Sequence, residues 1–101
     1  MSGLLSGRVC LVTGASRGIG KGCAKALAEK GATVYITGRN KTTLDATALE
    51  LGPTCKPIVC DHAEENQIKQ LFAQIEKEND GILDFLVNNC YAAVTLLLGT
   101  A

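Results

Sequence analysis

Apolar residues follow two rhythms along this chain: short continuous runs, and stripes at helical spacing, with glycine or proline marking most of the changes between them. Arg8–Thr13 (RVCLVT) is an apolar run that stops at a glycine, which predicts a buried strand. Gly18–Lys30 sets Ile19, Cys23, Ala26 and Leu27 on one face of a helix, with Gly31 as its C-cap. Thr33–Thr37 (TVYIT) is β-branched and aromatic, a second strand. Lys41–Leu51 reads as a second helix, with Leu44, Ala48 and Leu51 inward and Gly52-Pro53 as its stop. Pro57–Cys60 (PIVC) is the third strand, with Pro57 near its start, where a missing N–H does least harm. Glu64–Asn79 carries the clearest stripe, Ile68, Leu71, Phe72 and Ile75, and its two leading glutamates suit a helix N-terminus. Leu83–Asn88 (LDFLVN) is the fourth strand.

Strands and helices that alternate through short connections make parallel strands joined by right-handed crossovers. The predicted class is α/β: the first half of a doubly wound fold, sheet order 3-2-1-4, with helices on both faces. Residues 1–93 are expected to form this unit and 94–101 a short apolar tail. The fourth strand would normally be central in such a sheet; here no further strand is expected beside it.

Composition narrows the function classes. Ten Lys and Arg balance ten Asp and Glu, so nothing favours a nucleic-acid or anionic-membrane partner. No apolar run approaches the roughly 20 residues that span a bilayer. The opening MSGLLSGRV lacks the basic flank and long apolar run of a secretory leader, so a cytoplasmic location is the expectation. The five cysteines, Cys10, Cys23, Cys55, Cys60 and Cys90, are too irregularly spaced for a disulfide framework or a metal site. They read as reduced thiols packed as small hydrophobes. His62 stands alone in a loop, and no metal ligand set is expected.

The chemistry-bearing segment is Thr13-Gly14-Ala15-Ser16-Arg17-Gly18-Ile19-Gly20, between the first strand and the first helix. Gly14 lets the chain turn sharply, Gly18 brings backbone close to a phosphate, and Gly20 lets helix and strand pack tightly. Free N–H groups and the positive end of the helix then favour a pyrophosphate. The glycines fall as G-x-x-x-G-x-G; Cys23 stands where a G-x-G-x-x-G motif has its last glycine.

TGASRGIG resembles the cofactor fingerprint of the short-chain dehydrogenases/reductases. Asn88-Asn89-Cys90-Tyr91-Ala92 resembles that family's N-N-A-G after the fourth strand, with Cys90 in place of Ala and Tyr91 in place of Gly. The resemblance runs from about Gly7 to about Val94 and implies a Rossmann-type fold that binds a nicotinamide dinucleotide. It implies that Gly14, Ser16, Arg17, Gly18, Ile19 and Gly20 wrap the pyrophosphate and adenosine ribose, and that Asp61 accepts from the adenine amino group. Asn88 and Cys90 match positions beside the ribose and the adenine side of the cleft. Asp61 also suits the N-cap of the following helix, the lesser reading, and both roles can hold together.

Charge bears on which dinucleotide. An NAD enzyme of this kind places a carboxylate after the second strand to bind the ribose 2′-hydroxyl. This chain has Thr37-Gly38-Arg39 there. A guanidinium pairs with a 2′-phosphate in bidentate fashion, and Arg17 can add a second charge, so NADP(H) is favoured over NAD(H). The plain alternative is two solvated surface arginines.

The resemblance also implies a catalytic Ser, a Tyr-x-x-x-Lys pair and a helix-borne Asn. Tyr91 has Thr95 four residues on, and Tyr35 has Arg39, on a strand whose end belongs to the cofactor. No residue is therefore assigned a catalytic role, and the catalytic segment is expected beyond Ala101. Three readings remain open: the NADP(H)-binding portion of an oxidoreductase, inactive alone; a non-catalytic interaction or regulatory module whose exposed fourth strand pairs with another copy or another chain; or a scarcely folded product with no function of its own.

Overall fold

The computed structural model describes residues 3–15, 18–61 and 63–87. Ser16, Arg17, His62, Asn88, Cys90 and the tail 94–101 lie outside the described residues. The element order is β1 (Val9–Thr13), α1 (Gly18–Glu29), β2 (Thr33–Gly38), α2 (Lys41–Leu51), β3 (Cys55–Val59), α3 (Glu65–Glu78) and β4 (Phe85–Val87). All strand pairs are parallel and the sheet order is β3-β2-β1-β4. This is the α/β order the alternation predicts.

Side chains alternate across the strands and so build two cores. Cys10, Val12, Val34 and Ile36 pack with Ala24 of α1 and with Leu44 and Ala48 of α2. Val9, Leu11 and Tyr35 pack on the other face with Ile68, Leu71 and Ile75 of α3. The sheet is thus covered on both sides, as parallel sheets require. The stripes of α2 and α3 match expectation, with Thr47 buried as well and Leu51 and Phe72 half-buried.

Helix α1 departs from it. Gly20 and Ala24 are its buried residues, whereas Ile19 is 81% exposed and Ala26 is exposed too. The helix lies so close to the sheet that its smallest residues take the contact, and the face rotates away from Ile19. Its C-terminus closes as expected: Gly31 has φ +91°, and the Ala32 N–H donates to the Leu27 carbonyl at 3.2 Å.

Strand β3 begins two residues earlier than the sequence suggests, so Pro57 sits at its centre rather than near its start. Edge position makes this tolerable. Thr54 accepts from the Val34 N–H, and the Cys60 N–H donates to Gly38, both at 2.9 Å. Bonds to β2 therefore fall on even positions, and the ring nitrogen of Pro57 points off the sheet edge. Leu83 and Asp84 precede β4 instead of belonging to it. Asp84 serves as a clamp: its Oδ2 accepts from the Val9 N–H, and its own N–H donates to the Val9 carbonyl, each at 2.8 Å.

The Tyr35 hydroxyl donates to Glu78 Oε1 at 2.6 Å and accepts from Asn79 Nδ2 at 2.9 Å, which fastens the end of α3 to β2. Burial, then the Glu78 hydrogen bond, holds this phenol above its ordinary pKa. Fully buried and so bonded, Tyr35 is a structural anchor.

Candidate functional site

Three strand ends meet on the C-terminal edge of the sheet. After β1 the chain turns at Gly14, φ +65°, and the Ala15 N–H donates to the Thr37 carbonyl at 3.2 Å. This bond folds the glycine loop across β2 and buries Ala15. After β2, Gly38 is tied to Cys60, so Arg39 and Asp61 leave neighbouring strand ends.

Gly18 opens α1 with φ +66°, and a Cβ built there would meet nothing within 4 Å. A side chain is excluded by backbone conformation, not by crowding, and the space in front of the residue is open. The first turn of α1 contains no acidic residue, whereas α3 carries Glu65 in its own first turn. The positive end of α1 is thus left without a carboxylate from its own turn. Lys21 reaches away to Glu50 of α2 at 2.5 Å, and that hydrogen bond and charge hold the Glu50 carboxyl below its usual range.

Arg39 is exposed and forms no ion pair among the described residues. Beside it, Val59 at the end of β3 is 48% exposed, opposite Gly38, which offers it no side chain. Ile19 and Val59 therefore give this edge apolar surface, Arg39 a cation, and α1 the positive end of its dipole. That donor set fits a dinucleotide, which presents flat rings and phosphates. Sequence reasoning missed Val59, whose only signal is the facing glycine. It also passed over Asn40, whose side chain accepts from the Thr43 N–H at 3.0 Å and caps α2.

Asp61 is half-buried, two residues past the end of β3. Its Oδ1 accepts from the Ala63 N–H at 2.9 Å, its N–H donates to Gln67 Oε1 at 2.7 Å, and its carbonyl accepts from Glu64. It is not the N-cap of α3; Glu64 is, without a side-chain cap. Five residues, 60–64, separate β3 from α3, and Asp61 organises that connection instead. Gly14, Gly18, Ile19, Gly20, Arg39 and Asp61 are thus all at or beside one edge.

The apolar grooves at the other end of the sheet are separate. One, of about 520 Å³, lies between the end of α2 and the start of β3, over Ala48, Leu49, Pro53 and Cys55. Another, of about 240 Å³, lies beside the end of α3. Among the described residues no cluster of His, Cys, Asp and Glu could hold a metal ion, and no helix is long and apolar enough to cross a membrane. Among the described residues no disulfide joins the cysteines.

These features define an α/β protein with the parallel sheet order 3-2-1-4, and sequence comparison makes the family specific. The short chain dehydrogenase model matches residues 8–95, and the chain belongs to that family of oxidoreductases, which bind nicotinamide dinucleotides. Over 99 residues the chain is 56% identical to dehydrogenase/reductase SDR family member 1 of Mus musculus, covering 95% of this chain and 32% of that protein. Identity to the Homo sapiens protein of the same name is 52% over 103 residues, covering 99% and 33%. The solved structure of a short chain dehydrogenase/reductase family protein matches with a TM-score of 0.77 at 34% identity, over 85% of this chain and 34% of that one. The chain spans about a third of the length of these curated relatives.

Proposed function

We propose that this chain is the NADP(H)-binding portion of a short-chain dehydrogenase/reductase that interconverts a carbonyl and an alcohol. Residues 1–93 form the binding unit. Gly14, Ser16, Arg17, Gly18, Ile19 and Gly20 hold the pyrophosphate and ribose. Arg39, with Arg17, pairs with the 2′-phosphate; Asp61 accepts from the adenine amino group; Asn88 and Cys90 complete the cleft. The dinucleotide, when bound, supplies or accepts the hydride. What this chain contributes is binding and orientation.

The observation that carries the reading is the open, positive-φ Gly18 in a first turn without a carboxylate, on the same edge as an Arg39 that forms no ion pair among the described residues. Fluorescence titration of the 101-residue chain with NADPH tests it. Saturable binding is expected, and Gly18→Ala should weaken it on the order of tenfold, because alanine is strained at this φ and its Cβ intrudes on the phosphate. Equal affinity of the variant, with an unchanged circular dichroism spectrum, overturns the assignment. The same chain should give no NADPH-dependent carbonyl reduction, since no Tyr-x-x-x-Lys occurs in its sequence. Each missing acid–base group forfeits roughly 10²–10⁴-fold.

A second reading rests on β4. It pairs with β1 on one side, and Phe85 is 45% exposed. An apolar strand edge is a template for pairing, so the chain self-associates through β4. Sedimentation velocity should show dimers or larger species that Phe85→Lys disperses; a monodisperse monomer at all concentrations ends this reading.

A further inference from the structure

Asp80–Gly81 is the only place in the sequence where an Asp or Asn precedes a glycine. It lies in the turn from α3 to β4, and both residues are exposed. Asp80 has φ +54°, the one non-glycine residue with positive φ among the described residues, and Gly81 follows at +82°. Two consecutive left-handed residues, one bearing a side chain, make this a strained exit from a helix.

The turn is held shut from the helix side. The Gly81 N–H donates to the Glu76 carbonyl at 2.8 Å, and the Asn79 N–H donates to Ile75 at 3.1 Å. The Asn79 side chain doubles the closure, donating to the Ile75 carbonyl at 2.8 Å and to the Tyr35 hydroxyl at 2.9 Å. The amide next to the Asp80 carboxyl is therefore engaged while the cap is closed and released when it opens.

We propose that Asp80 is a site of isoaspartate formation whose rate is gated by opening of the α3 C-cap, with Asn79 as the latch. When the cap opens, the Gly81 nitrogen attacks Cγ of the protonated Asp80 carboxyl. The N–Cγ bond forms, the Cγ–OH bond breaks, and the hydroxyl leaves with the amide proton as water. Hydrolysis of the succinimide at its main-chain carbonyl consumes one water and leaves the peptide link running through the β-carboxyl. Nothing is oxidised or reduced, and the mass is unchanged. The product has one more main-chain methylene between α3 and β4, so the turn no longer fits the bond from Gly81 to Glu76. Asn79 itself precedes an aspartate, not a glycine, and its amide is occupied by two partners.

The test is incubation of the folded chain at 37 °C, with time points labelled by an isoaspartyl carboxyl methyltransferase and a radioactive methyl donor, then peptide mapping. Label should concentrate in the peptide containing Asp80 and be lost in Asp80→Glu. Asn79→Ala should speed its appearance about fivefold, the change in opening produced by loss of one typical hydrogen bond. Chain unfolded in urea sets the ceiling and keeps the test decisive if Asn79→Ala folds poorly. Label spread over other residues, or absent from Asp80 in urea, refutes the site. Folded chain labelling as fast as unfolded chain, or a folded Asn79→Ala labelling no faster than the original, refutes the gate.

Discussion

The two ends of the sheet are built on opposite principles. At the N-terminal end, polar groups are matched within the chain: Asp84 with the Val9 backbone, Tyr35 with Glu78 and Asn79, Gly3 packed against the end of α1. At the C-terminal end, Ile19 and Val59 are left exposed, Arg39 has no ion-pair partner among the described residues, and Gly18 faces open space. A cap, a clamp and a buried phenol stabilise the fold. A cation with no ion pair among the described residues and two exposed apolar side chains do not, and the proposed function gives them a ligand with rings and phosphates. The difference separates residues that hold the structure from residues proposed to bind a ligand.

Changes at the closed end should alter stability and leave dinucleotide affinity alone. The largest effect involves Cys55, whose burial pushes its thiol up to about 11 from an ordinary 9.0. A raised folded-state pKa contributes stability below the unfolded value, and this is lost as pH rises from about 9 through about 11. The loss is about 2–3 kcal/mol. Cys10, raised by burial and then by the Asp84 charge, acts in the same direction. Urea melts at pH 8, 9.5 and 11 should therefore show alkaline weakening that Cys55→Ala reduces; equal slopes in both chains would place the lability elsewhere.

A smaller effect is expected of Tyr35→Phe. Removing the hydroxyl leaves Asn79 and Glu78 without their buried partner, a loss of about 1–2 kcal/mol in unfolding free energy. NADPH affinity should stay the same. A variant as stable as the original, or one that binds NADPH less well, would break the distinction between the two ends.

The sheet and the order of its strands were legible because strand runs and helical stripes use different periods and glycine separates them. The stripe of α1 was not, because close helix–sheet packing rewards Gly20 and Ala24, which carry little hydropathy, over Ile19. Proline misled in β3, since a rule for central strands does not bind an edge strand whose odd positions face outward. At the candidate site the glycine loop was legible from its place between strand and helix, Arg39 from its charge after the second strand, and Asp61 from the family resemblance. The turn made by Asp61 and the exposure of Val59 depend on contacts between strand ends that local sequence does not encode.

The central claim is that Arg39 belongs to the open end as a ligand group. Replacing it with aspartate exchanges attraction for repulsion at the 2′-phosphate, worth on the order of 1–3 kcal/mol for a charged hydrogen bond. Titration of the original chain and of Arg39→Asp with NADPH and NADH measures this directly. The account predicts that the original chain prefers NADPH and that the variant loses or reverses this preference, with thermal stability unchanged. An NADPH-to-NADH affinity ratio that is the same in both chains would contradict it.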